Sequence, residues 1–138
     1  MIVVDTSAVM AMVLEEPDNM GFRRAVARDP DPLISAASLV ELDVVTLRRG
    51  GGAMRTMMER IIGAAELLVM PVEGQSLRFA RRGFETFGQG RGDEPAALNF
   101  GDCFSYGLAM AKEAPLLFKG EDFSKTDVKV AEIPGEAA

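Results

Sequence analysis

The chain has no histidine, no tryptophan, one tyrosine and one cysteine in 138 residues. Without histidine there is no Ser-His-Asp triad, no imidazole general base and no HExxH zinc site. The lone Cys103 can form neither an internal disulfide nor a cysteine-based zinc cluster. No apolar run approaches the roughly 20 residues of a membrane span, and Asp5 interrupts the one at the start. Residues 1–14 lack the basic n-region of a secretory signal, so a cytoplasmic location is the expectation. Chemistry is left to carboxylates, lysine, hydroxyls, the single thiol or a bound metal.

What is present suits a packed domain. Apolar residues make up 48% of the chain, enough for a real core. One domain over 1–134 is expected, with 135–138 (GEAA) as a loose tail. The net charge of −6 argues against a strong non-specific grip on nucleic acid by the whole surface. A local basic rim or bound cations would reverse that sign locally. Arginines cluster at Arg23, Arg24 and Arg28, at Arg48, Arg49 and Arg55, and at Arg78, Arg81, Arg82 and Arg91. A solvated helix face explains any one cluster, and phosphate contact is the alternative.

Short apolar runs alternate with segments of helical period. IVV (2–4), PLIS (32–35), LLVMPV (67–72) and PLLFK (115–119) read as strands, and VKVAEI (128–133) as an edge strand. Residues 7–16, 18–28, 39–49, 54–65, 74–87 and 100–113 read as helices. Gly50, Gly51 and Gly52 break the middle run, and QGRGDEP (89–95) is turn-rich. This alternation predicts an α/β fold with a mostly parallel sheet. In such folds ligands bind outside the carboxyl ends of the strands.

Four acids fall at those junctions. Asp5 follows the first strand, Glu41 lies early in the helix after the second, Asp102 sits in a first helical turn, and Asp122 follows the fourth strand. Each alone also reads as a cap. Ser38 to Glu41 and Asn99 to Asp102 both have capping-box form, and Asp5 and Asp122 suit helix starts. Jointly they call for more. Gathered carboxylates repel, and so raise their pKa values or bind a cation. An all-oxygen set suits Mg²⁺ or Mn²⁺, which can activate water against a phosphodiester without histidine. Cys103 beside Asp102 has no base to activate it and reads as a small buried hydrophobe. Met10, Met12, Met54, Met57 and Met58 read as core, with a partner groove as the alternative. Lys119 reads equally as a phosphate contact or a surface lysine.

MIVVDTSAV, SAASLVEL, LNFGDCFSYGLA and LLFKGEDFSKTDV, in that order and spanning nearly the whole chain, resemble the PIN-domain superfamily and, within it, the VapC-type toxin ribonucleases. The resemblance implies a three-layer α/β/α sandwich around a parallel sheet of four or five strands. It implies Mg²⁺- or Mn²⁺-dependent cleavage of RNA, a cognate antitoxin protein as inhibitor, and a homodimer. It makes Asp5 and Asp102 the principal metal ligands, completed by Glu41 and Asp122. Ser7 would orient water or phosphate beside the first acid, and Asn99 matches a polar residue one turn before the third. Arg91 is the substrate contact favoured by its place in a loop. Glu121 and Asp127 compete with Asp122 for the last position, and alignment on Phe123 favours Asp122. Asp93 and Glu94 make the preceding loop less basic than in similar proteins.

Two other functions fit an acid after the first strand. A phosphotransfer domain, either a haloacid-dehalogenase-like phosphatase or a receiver, is one. The phosphatase wants a second Asp where Ser7 stands, and the receiver wants an Asp after the third strand, where Met70 to Glu73 offer none. A non-catalytic binding module, with the acids as caps, is the other.

Overall fold

The computed structural model describes residues 1–91 and 97–135. The elements are Ile2–Val4 (β1), Thr6–Val13 (α1), Asn19–Arg28 (α2), Pro32–Ser35 (β2), Ala36–Ala64 (α3), Leu68–Met70 (β3), Gly74–Phe87 (α4), Phe100–Lys112 (α5) and Leu116–Leu117 (β4). The sheet is parallel, in the order β3-β2-β1-β4. β2 and β3 extend from one side of β1, and β4 lies on the other. β1 therefore stands at the point where strand order reverses, the usual ligand crevice of an open α/β sheet.

Side chains on a strand alternate between faces, and each face has its own core. Ile2, Val4, Ile34 and Leu117 pack with residues of α1, α2 and α3, including Met12, Phe22, Leu42 and Met58. Val3, Leu33 and Leu116 pack with α4 and α5, where Ala80, Tyr106 and Leu108 lie. The result is the expected α/β/α sandwich. Met10, Met12 and Met58 are core, as read from the sequence, whereas Met57 is exposed. No described helix is long and apolar enough to cross a membrane.

The glycine triplet breaks α3 as expected. Gly51 adopts φ 67 and ψ −159, a conformation open to glycine and strained for other residues. The helix folds back there. In a straight helix residues 43 and 55 would stand about 18 Å apart, yet Arg55 Nε meets Asp43 Oδ1 at 3.0 Å.

Strand ends are shorter than the sequence suggests. Residues 67–72 contract to 68–70 and 115–119 to 116–117. The edge strand expected over 128–133 reduces to a single parallel bridge between Leu116 and Val130. β propensity supplied apolar residues there, but only one position found a ladder partner. Residues 92–96 of the loop, with Asp93 and Glu94, and residues 136–138 of the tail lie outside the described residues.

Candidate active site

β1, α3, α5 and the segment after β4 bring the four acids to one edge of the sheet. Asp5 is 2% exposed and Asp102 8%, Glu41 is half-buried, and Asp122 is exposed in a turn. Asp5 caps α1, accepting the Ser7 N–H at 3.0 Å on Oδ2. Ser7 Oγ donates to the same oxygen at 2.7 Å, and Ser105 Oγ donates to Oδ1 at 2.6 Å. Ser7 Oγ in turn accepts the Lys119 N–H at 2.9 Å, joining the ends of β1 and β4.

Asp102 and Asn99 form the capping box foreseen in the sequence. Asn99 Oδ1 accepts the Asp102 N–H at 2.8 Å, and Asp102 Oδ2 accepts the Asn99 N–H at 3.0 Å. The other foreseen box does not form. Ser35, not Ser38, caps α3, because the helix begins directly at the end of β2. That leaves Ser38 and Glu41 inside the helix, with their side chains available to the site.

The acids are coupled through Asp102. Burial pushes the Asp102 carboxyl up to about 7; the Asn99 backbone N–H opposes this, and the charges of Asp5, Asp122 and Glu41 add to it. Burial also raises Glu41, opposed by a hydrogen bond from Thr6 and helped by Asp5. The hydrogen-bond partners of Asp5, Glu41 and Asp102 among the described residues are neutral hydroxyls and amides. Among the described residues no lysine or arginine forms an ion pair with any of the four acids.

This donor set fits a hard divalent cation. It is all oxygen, uncompensated and partly buried, a state that an ion relieves. Among the described residues no three acids close into a ready-made ligand cage. An open arrangement of that kind suits an ion that keeps several waters and takes few direct protein ligands.

The remaining candidates sort by their partners. Asp127 accepts the Tyr106 hydroxyl at 2.6 Å, which commits it to anchoring the segment after β4. Asp122, not Asp127, acts on Asp102. Arg91 folds back on α4, donating Nε to the Glu85 carbonyl at 2.9 Å. Lys119 pairs with Glu16 at 2.8 Å and Asp18 at 3.1 Å, so its ammonium is engaged by carboxylates. Arg23, Arg28 and Arg55 are likewise engaged within the fold, whereas Arg78, Arg81 and Arg82 are exposed on α4. The Cys103 thiol, pushed up to about 11 by burial and then by Asp102, stays protonated at neutral pH. Thr6 and Ser105 escaped the sequence reading. A helical serine or threonine carries no signal of its own, and Ser105 lies 100 residues from Asp5.

The family model described as PIN domain matches residues 2–129. Ribonuclease VapC30 of Mycobacterium tuberculosis is 41% identical over 132 residues, covering 96% of this chain and 99% of that protein. Ribonuclease VapC28 of the same organism is 40% identical over 129 residues, covering 94% and 96%. The chain belongs to the PIN-domain family, among the VapC ribonucleases. In fold it is similar to the crystal structure of M. tuberculosis VapC20, a sarcin-ricin loop cleaving toxin, with a TM-score of 0.75 at 20% identity over 97% of this chain and 100% of that one. It is also similar to VapBC2 of Rickettsia felis bound to a promoter DNA fragment, with a TM-score of 0.72 at 15% identity over 96% and 98%.

Proposed function

We propose that this chain is a Mg²⁺- or Mn²⁺-dependent endoribonuclease, the toxin of a toxin–antitoxin pair acting in the cytoplasm. The observation that carries the reading is the acid edge at the switch point: Asp5, Glu41 and Asp102 have neutral hydrogen-bond partners, and Asp122 adds its charge to Asp102. Relatives named as ribonucleases over nearly the whole chain support the substrate class.

Asp5 and Asp102 would hold the ion, with Glu41 and Asp122 beside them. The bound ion supplies positive charge to the phosphate and acidifies water. The chain's own groups prepare that site. Ser7 and Ser105 hold one oxygen each of Asp5, so the carboxylate cannot rotate freely. Asn99 holds Asp102. In the metal-free state Asp102 carries a proton for much of the time near neutral pH, and cation binding displaces it. Arg78, Arg81 and Arg82 on α4 are available to RNA phosphates.

The antitoxin reading finds a surface of the right kind. A cavity of about 560 Å³ opens between α1, α2 and the second half of α3, lined by Met12, Val26, Met57 and Ile61 among others. Adaptable methionines suit a docked helix. The homodimer implied by the resemblance belongs to the same proposal.

The purified chain is expected to cut RNA in millimolar Mg²⁺ or Mn²⁺ and to stop when EDTA is added. Undiminished cutting in EDTA would refute metal dependence.

Gly101 offers a sharper probe. A Cβ there would collide with Glu41 Oε2, the far end of a flexible side chain. Gly101→Ala should therefore displace Glu41 while leaving the unfolding temperature nearly unchanged. Misplacement of a site group by about 1 Å can cost on the order of 10²-fold, so cleavage should fall about 10- to 100-fold. An active Gly101→Ala protein would remove Glu41 from the site.

A further inference from the structure

Ser105 is fully buried, at 0% exposure, one helical turn beyond Asp102 on α5. A serine inside a helix commonly bonds a carbonyl of the preceding turn. This one donates to a different element, reaching Asp5 Oδ1 at 2.6 Å. Ser38 Oγ lies 3.3 Å from Ser105 Oγ. Ser38 is 1% exposed, and it sits on α3 one turn before Glu41.

The direction of this chain follows from proton counting. A hydroxyl has one proton to give. Ser105 gives its proton to the carboxylate, the shorter contact, so Ser38 is the donor in the contact between the two serines. The relay runs from Ser38 to Ser105 to Asp5. It ties together the three elements that carry Glu41, Asp102 and Asp5. Such linked bonds also strengthen one another in a buried setting.

We propose that Ser105 is a positioning residue of the metal site, acting through Asp5 and itself oriented by Ser38. This rests on the divalent-cation reading above. Ser7 fixes Oδ2 and Ser105 fixes Oδ1, so the carboxylate presents its remaining lone pairs in one orientation. Without Ser105 the carboxylate is held at one oxygen only and swings. Outer partners of metal ligands typically govern affinity by about 10- to 100-fold.

The test compares wild type, Ser105→Ala, Ser105→Cys and Ser38→Ala by calorimetric Mn²⁺ titration and by kcat and KM on RNA. Ser105→Ala should weaken Mn²⁺ binding about 10- to 100-fold and lower kcat, with KM for RNA unchanged. Ser105→Cys, a weaker donor, should fall between it and wild type, and Ser38→Ala should weaken binding by a few fold. If Ser105→Ala fails to fold, Ser105→Cys and Ser38→Ala carry the test. Mn²⁺ affinities of the folded variants equal to that of a metal-binding wild type would overturn the role of Ser105 alone. A wild type that binds no Mn²⁺ would overturn the divalent-cation reading, and this inference with it.

Discussion

Asp102→Asn is expected to abolish RNA cleavage and yet stabilise the metal-free protein at pH 8. The activity loss follows from the ligand role proposed for the residue. Losing an outer partner of a ligand already costs about 10- to 100-fold, so losing the ligand should reach at least the upper end. The stability gain follows from its charge. Asp102 titrates near 7 in the fold against 3.8 in a free chain. Between those values the folded state binds more protons than the unfolded state, so stability falls as pH rises through this window. Each unit of raised pKa corresponds to about 1.4 kcal/mol. Asparagine removes the ionisation and keeps an oxygen to accept the Asn99 N–H. Its new NH₂ group, in a site without an assigned acceptor, offsets part of the gain. A net stabilisation of about 1–3 kcal/mol at pH 8 is expected, shrinking toward zero or below at pH 4. Unfolding in EDTA at both pH values measures it. A variant no more stable than wild type at pH 8, or one whose advantage grows at pH 4, would contradict the raised pKa.

The second large effect concerns packing. Gly107→Ala should destabilise the protein by about 1–3 kcal/mol. A Cβ at 107 would lie 2.5 Å from the Ser76 carbonyl oxygen and 2.8 Å from Ala80 N and Cβ. These are mostly backbone atoms of α4, so the helices must part. Gly83 faces Tyr106 of α5 in the same interface. The usual helix-propensity gain of alanine over glycine, about 1 kcal/mol, is too small to offset this. Because α5 carries Asp102 and Ser105, cleavage should fall as well. Gly63→Ala is the control. Nothing lies within 4 Å of a Cβ there, so the same substitution should be neutral or stabilising by up to about 1 kcal/mol. Equal stabilities for the two variants, by urea unfolding, would contradict close helix packing at Gly107.

Much of this was legible in the residues. Apolar runs of three or four residues separated by helical periods specified a parallel sheet, and the glycine triplet marked the fold-back in α3. Asp5 and Asp122 stood out after strands, and Glu41 and Asp102 near helix starts. Other features depend on tertiary placement and leave no local trace. Asp127 and Asp122 look interchangeable until Tyr106 claims one of them. Ser38 fits a capping box until the helix starts directly at the end of β2 and Ser35 takes the cap. Thr6 and Ser105 are unremarkable helical hydroxyls until the sheet brings Glu41 and Asp5 to them. Val130 belongs to a run with strand composition, yet the segment meets β4 at one position only.

Charge explains how the proposed cation would act at this site and how the fold would tolerate its absence. Hydroxyls and amides hold the acids in place without neutralising them, and protonation of Asp102 relieves part of the repulsion when no ion is bound. Titrating Mn²⁺ into wild type and Asp102→Asn at pH 7.5, and following thermal unfolding, reads this directly. A ligand at 100 times its dissociation constant stabilises by about 2.7 kcal/mol, a shift of several degrees for a domain of this size. Wild type is expected to gain that shift and Asp102→Asn to lose most of it. No shift in wild type, or equal shifts in both proteins, would contradict a divalent-cation site at the four acids.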